Sequence, residues 1–263
     1  MDLGLRGRVA LVAGSSRGLG RALAEELAAE GATLVLCARG AEALDEAARA
    51  IGRASNAAVH TVAADLGEPG AGTRVVEEAI ARAGRVDILV TNSGGPPPGS
   101  FDGLTPAQWD AAVGLILSAV IEMVRAALPG MRERRWGRIL NITSITAKQP
   151  VENLMLSNTL RAAVTGFART LANEVATSGV TVNNILPGFT RTERVTELAE
   201  VNAAREGITV AEALARFERQ IPLARLAEPR EFAAVAAFLV SERASYVTGQ
   251  SVAVDGGWIR GLF

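Results

Sequence analysis

One tyrosine, one histidine and one cysteine occur in the 263 residues. Lysine is as scarce: Lys148 stands alone among 27 basic residues, and the other 26 are arginine. Each scarcity closes off chemistry. A metal site built on imidazole or thiolate needs several such ligands, and Cys37 and His60 are the only ones in the chain, so no metal site is expected. A single cysteine forms no intramolecular disulfide. Any mechanism that needs a phenol must use Tyr246, and any that needs a side-chain amine must use Lys148. The net charge of −1 gives no electrostatic case for nucleic acid or an anionic membrane as partner. Long apolar runs are also missing: Val9–Ala13 is too short for a signal segment, and Leu115–Val124 is interrupted by Glu122. A cytoplasmic protein is therefore expected.

The residues that are present describe a globular chain, 49% hydrophobic and 21% charged. Short apolar runs alternate with longer Ala-rich stretches of helical period. Strands are expected at 9–13, 33–37, 59–63, 88–91, 138–142, 181–186 and 251–254. Helices are expected between them, at 18–30, 41–51, 70–83, 105–128, 157–177 and 229–239. Strands that are nearly continuous apolar runs, separated by helices, predict a Rossmann-like, doubly wound α/β fold with a seven-stranded parallel sheet. No linker or repeat divides residues 1–263, which read as one dinucleotide-binding domain. Residues 190–228 break the rhythm with charged helical pieces and read as a lid or substrate loop.

Gly14-Ser15-Ser16-Arg17-Gly18-Leu19-Gly20 follows the first strand and opens the first helix. Glycines at this joint let the backbone turn tightly and approach a pyrophosphate, which then faces the unpaired N–H groups of the helix start. At the end of the second strand stand Ala38 and Arg39, where an acid would accept the 2′-hydroxyl of NAD. Arg17 and Arg39, with no carboxylate, instead suit a 2′-phosphate. NADP(H) is thus favoured over NAD(H), the plainer reading being that either arginine is a solvated surface charge.

The stretch Ala13 to Gly20 closely resembles the TGxxxGIG loop of short-chain dehydrogenases/reductases, with Ala13 where Thr is usual. The likeness extends along the chain through Asp65-Leu66, Asn92-Ser93-Gly94, Val182-Asn183, Pro187-Gly188-Phe189-Thr190-Arg191-Thr192, Tyr246 to Gln250 and Asp255-Gly256-Gly257. Within that family it is most similar to the 3-oxoacyl-acyl-carrier-protein reductase type. The resemblance implies cofactor contacts at Gly14, Ser16, Arg17, Gly18, Leu19, Gly20, Arg39, Asp65, Leu66, Asn92, Gly94, Arg161, Pro187, Gly188, Thr190 and Thr192.

The family's chemistry uses a Ser at the end of the fifth strand, a YxxxK pair on the next helix and an Asn on the preceding one. Ser144 matches the first. Thirteen residues on, where Tyr belongs, stands Ser157, and four further, where Lys belongs, stands Arg161. Seven residues after Trp109 the Asn position is filled by Ile116, with Ser118 the nearest polar alternative. A phenol of pKa ~10 can be pulled toward neutrality by a neighbouring cation, whereas a serine hydroxyl is far too weak an acid to follow the same route. Two readings stand: Ser144, Ser157 and Arg161 form a non-standard proton relay with water as the proton source, or Ser157 is a helix N-cap and Arg161 its solvated neighbour. Lys148 reads as a surface-loop residue, or as a substitute acid beside the pocket.

An oxidoreductase acting on a carbonyl or alcohol substrate is the favoured function. The alternative is an NADP(H)-binding protein with lost catalysis, serving as sensor or structural partner. Phe189, Val195, Leu198, Val201, Leu214 and Phe217 would supply an apolar cover for the substrate or simply pack the lid helices. Val113, Ile116, Leu117, Val120, Ile121 and Val124 form an apolar stripe, and Ala162, Ala163, Gly166 and Ala168 a small-residue face. By resemblance these helices pair subunits into a homodimer or homotetramer; burial within one subunit accounts for the same pattern.

Overall fold

A computed structural model describes residues 2–262. Seven parallel strands form one sheet in the order β3-β2-β1-β4-β5-β6-β7. They are β1 (Val9–Ala13), β2 (Thr33–Ala38), β3 (Val59–Ala63), β4 (Ile88–Thr91), β5 (Gly137–Ile142), β6 (Val180–Pro187) and β7 (Ser251–Val254). β1, β3, β4 and β7 match the expected segments outright, and β2, β5 and β6 differ by no more than one residue at either end. Parallel strands buried on both faces have no polar side to alternate with, which is why they read as unbroken apolar runs. In β1, Val9, Leu11 and Ala13 enter one core, while Ala10 and Val12 enter the other.

The helices α1 (Gly18–Ala29), α2 (Ala41–Ser55) and α9 (Pro229–Leu239) cover one face. On the other lie α3 (Ala71–Ala83), α4 (Pro106–Val113), α5 (Ala119–Glu133) and α6 (Met155–Val175). Between α4 and α5 the helix widens into a π-helical turn over Gly114–Ser118. The sequence predicts one uninterrupted α-helix here, because period analysis does not register a single inserted residue. The run Pro106–Glu133 is long enough to cross a membrane and contains an 18-residue stretch with a mean hydropathy of 1.9. Here Ile116, Val120, Met123 and Val124 are instead buried in the core of this subunit. Of the six stripe residues, Ile116, Val120 and Val124 are buried within one chain, and Val113 and Leu117 pack against them partly buried.

The chain winds outward from β1 to β3, then returns to place β4 on the other side of β1. That reversal opens a crevice at the carboxyl ends of β1 and β4, where ligands bind in open α/β sheets. Helices α7 (Glu193–Glu206) and α8 (Val210–Gln220) stand over this end of the sheet, ahead of α9.

Candidate active site

The joint between β1 and α1 is shaped by its glycines. Gly14 and Gly18 both have φ of +60°, a conformation that side chains disfavour. A Cβ on Gly20 would lie 2.3 Å from the Gly14 carbonyl oxygen, so the helix start closes directly onto the loop. Helix α1 has no side-chain cap and no acid in its first turn, which leaves its N–H groups and dipole available to an anion. Arg17 is the N-cap residue, with Ser16 before it and Leu19 just inside the helix. The loop is tied down on two sides. Cys37 N donates to Ser15 Oγ at 3.1 Å, and Asn92 Nδ2 donates to Gly14 O at 3.3 Å. Ser15 is fully buried and is the loop serine that holds it to β2. In the sequence, adjacent serines carry no mark of which one turns inward.

The other expected cofactor positions gather around this loop. Arg39 is exposed directly after β2, and no carboxylate pairs with it among the described residues. Asp65 accepts from Gly67 N at 2.9 Å, and Leu66 is buried beneath it. Asn92 and Gly94 follow β4. Pro187 ends β6 and Gly188 follows it, where a Cβ would lie 2.7 Å from Asp255 Cα. Thr190 donates to Gly188 O and Thr192 to Thr190 O, each at 3.3 Å. Thr192 also comes up against Gly18, which brings the β6–α7 joint to the phosphate loop.

Around Ser144 the geometry differs from the expectation. Ser144 lies just past β5, and its Oγ accepts from Thr146 N at 3.1 Å, leaving its own proton free to donate. Ser157 is not a helix cap: α6 begins two residues earlier, and the buried Ser157 hydroxyl shares a 3.1 Å hydrogen bond with Thr146 Oγ1. Ser144, Thr146 and Ser157 thus form a connected group, of which Thr146 was not anticipated. Arg161 is not a solvated neighbour either. It is buried, and its Nη1 donates to Ile142 O at 2.9 Å while Nε has no partner. Burial lowers the guanidinium to about 10, so it stays cationic at neutral pH.

Arg161 borders a 10 Å³ cavity, room for one water, whose walls include Thr91, Asn92, Ser93, Asn141 and Leu115. Ile116 is fully buried in the π-helical turn beside this region, and Ser118 is half-buried. Lys148 is exposed on its loop, as the surface reading expects, whereas Tyr246 lies fully in solvent.

Over the crevice, Val195, Ala199, Ala213 and Phe217 of α7 and α8 form a third apolar cluster with Ile145 and Trp258. Phe189 stacks on Phe217 at 4.6 Å and meets Trp258 edge-on at 6.2 Å. Leu198 and Leu214 join this cluster, but Val201 is 52% exposed and does not. Position 201 falls on the outer face of α7. Arg194 donates to Pro96 O and pairs with Glu197, which also stands 3.9 Å from Arg17.

Residues 13–259 match the family model described as enoyl-(acyl carrier protein) reductase. The chain belongs to the short-chain dehydrogenase/reductase family. It is 33% identical to a 3-oxoacyl-(acyl-carrier-protein) reductase of Aquifex aeolicus over 257 residues, covering 98% of this chain and 99% of that one. The L-sorbose reductase of Gluconobacter frateurii, solved with NADPH and L-sorbose, superposes with a TM-score of 0.95 at 36% identity, each chain covered in full. A 3-oxoacyl (acyl-carrier-protein) reductase of Agrobacterium tumefaciens with NADP bound gives 0.89 at 33% identity, covering 97% of this chain and 95% of that one. The short-chain dehydrogenase/reductase fold and its oxidoreductase relatives therefore span the whole length of the chain.

Proposed function

We propose that this family member is a cytoplasmic NADP(H)-dependent oxidoreductase acting on a small carbonyl or alcohol substrate, of the 3-oxoacyl reductase type. The observation that carries the reading is the phosphate loop: positive φ at Gly14 and Gly18, a Gly20 that admits no Cβ, and an uncapped helix start. These fit a dinucleotide pyrophosphate. Ala38 with the unpaired Arg39 supports NADP(H) over NAD(H), and the NADPH and NADP seen in related structures point the same way.

When bound, the cofactor supplies or accepts the hydride. The chain's own residues position the substrate oxygen and manage the proton. Ser144 Oγ, its proton unused, holds the substrate oxygen. In the position where the family carries its Tyr, Ser157 is too weak an acid to protonate that oxygen. The proton in this proposal comes from water held on the Arg161 side, with the guanidinium favouring loss of that proton. Carbonyl, hydride and proton together give the alcohol. Residues 190–228 act as the substrate lid, with Phe189, Phe217 and Trp258 as its apolar floor. By analogy with the family, α5 and α6 pair copies into a homo-oligomer.

The test is to titrate the protein with NADPH and NADH and then assay the preferred cofactor with ketones, aldehydes and 3-oxoacyl thioesters. NADPH-dependent turnover on one of these classes is expected, falling at least tenfold in Arg161→Ala. Tight NADPH binding with no turnover on any of them replaces this reading with the second one, a cofactor-binding sensor or structural partner.

A further inference from the structure

The two buried arginines of the chain are solvated by the protein in opposite ways. Arg138 has Glu242 at 3.5 Å and the Trp136 ring at 4.4 Å. Arg161 has neither. Among the described residues no carboxylate lies within ion-pairing distance of it, one guanidinium nitrogen donates to Ile142 O, and the buried Nε has no partner. Removing a cation from water without a counter-charge is costly, so the charge of Arg161 acts at nearly full strength on any group brought beside it. The cavity that Arg161 borders lies under the carboxyl ends of β4 and β5, lined there by Asn92, Ser93, Asn141 and Ile142.

On the proposed cofactor reading, Arg39 takes the 2′-phosphate at the end of β2, and the phosphate loop takes the pyrophosphate at β1. The remaining half of the dinucleotide then extends over β4 and β5, the Arg161 side of the crevice. That half differs in charge between its two redox states: the oxidised nicotinamide ring is cationic and the reduced ring is neutral.

We infer that Arg161 is a specificity-determining residue for the redox state of the cofactor, its uncompensated charge disfavouring the oxidised form, so that NADPH occupies the site in preference to NADP⁺. The inference rests on the proposed cofactor reading. A positive charge held in a poorly solvated site interacts strongly with a second one brought nearby.

The experiment measures dissociation constants of NADPH and NADP⁺ for the full chain, for Arg161→Met and for Arg161→Lys. The parent is expected to bind NADPH roughly tenfold or more tightly than NADP⁺, in line with one unscreened charge pair. Arg161→Met should collapse that ratio toward one, and Arg161→Lys should keep it. If Arg161→Met does not fold, Arg161→Gln takes its place. Equal affinities in the parent overturn the inference, as does a Met or Gln variant that weakens both forms equally, the mark of a merely structural role. Binding of neither form by the parent is a different result, which overturns the cofactor reading itself.

Discussion

Arg39 follows β2 with its guanidinium in solvent and without a carboxylate partner, beside Ala38, which offers no acceptor to a ribose hydroxyl. A 2′-phosphate there would gain charge-assisted hydrogen bonds that NAD(H) cannot make. Arg39→Ala should therefore weaken NADPH binding about tenfold, from the loss of ~1.5 kcal/mol, and leave NADH nearly unchanged. Fluorescence titration of both cofactors measures this, and equal losses would show that Arg39 reads no phosphate. The phosphate loop was legible because its glycines answer to backbone geometry that sequence spacing encodes directly. Ser157 and Arg161 were legible as positions but not as environments. Whether a hydroxyl meets Ser144 or Thr146, and whether an arginine points to solvent or under β5, depends on turn geometry and rotamers set by distant chain segments.

Helix α9 shows how local chemistry fixes an element. Pro229 fills its first position, and the Glu231 carboxylate accepts from Glu228 N at its start. Glu231 also takes two 2.7 Å hydrogen bonds from Arg225. These bonds, first from Arg225 and then from Glu228 N, lower the Glu231 carboxyl to about 2. A carboxyl depressed on folding contributes stability that is present above its unfolded value, near 4.5, and is lost as pH falls through its folded value. Glu231→Gln should accordingly unfold at lower urea than the parent above pH 4.5, and the two should converge toward pH 2. The gap should be modest, because the pair is exposed to solvent. A gap constant down to pH 2 would count against the pairing.

Proline, capping residues and apolar period made this helix and most others readable in advance. The π-helical turn at Gly114–Ser118, which packs against α6, was not, since it leaves no periodic trace. Val201 shows the converse: an apolar residue in a helical stretch is no guide to which face the fold will bury.

At the scale of the molecule, the proposed cofactor site is assembled from residues 14–20, 39, 65–66, 92–94, 161 and 187–192, carried by five strands and three helices. Asn92 on the β4 loop bonds to Gly14 O, and Thr192 on the lid joint abuts Gly18, so the site holds together only while the sheet order holds. A ligand that binds the folded chain alone stabilises it by RT ln(1 + [L]/Kd), about 2.7 kcal/mol at a hundredfold excess over Kd. For a chain of this size each kcal/mol raises the melting temperature by roughly 2–4 °C, which gives a shift of about 5–10 °C with NADPH. Calorimetry should show the whole transition moving upward, with a smaller shift from NADH at equal concentration and a reduced NADPH shift in Arg39→Ala. Movement of only an early minor transition would show that α7 and α8 unfold as a separate unit and that the ligand stabilises the lid alone. That outcome would place binding outside the crevice at the strand reversal, because a ligand seated on β1 and β4 cannot stabilise the lid without also stabilising the sheet that carries it.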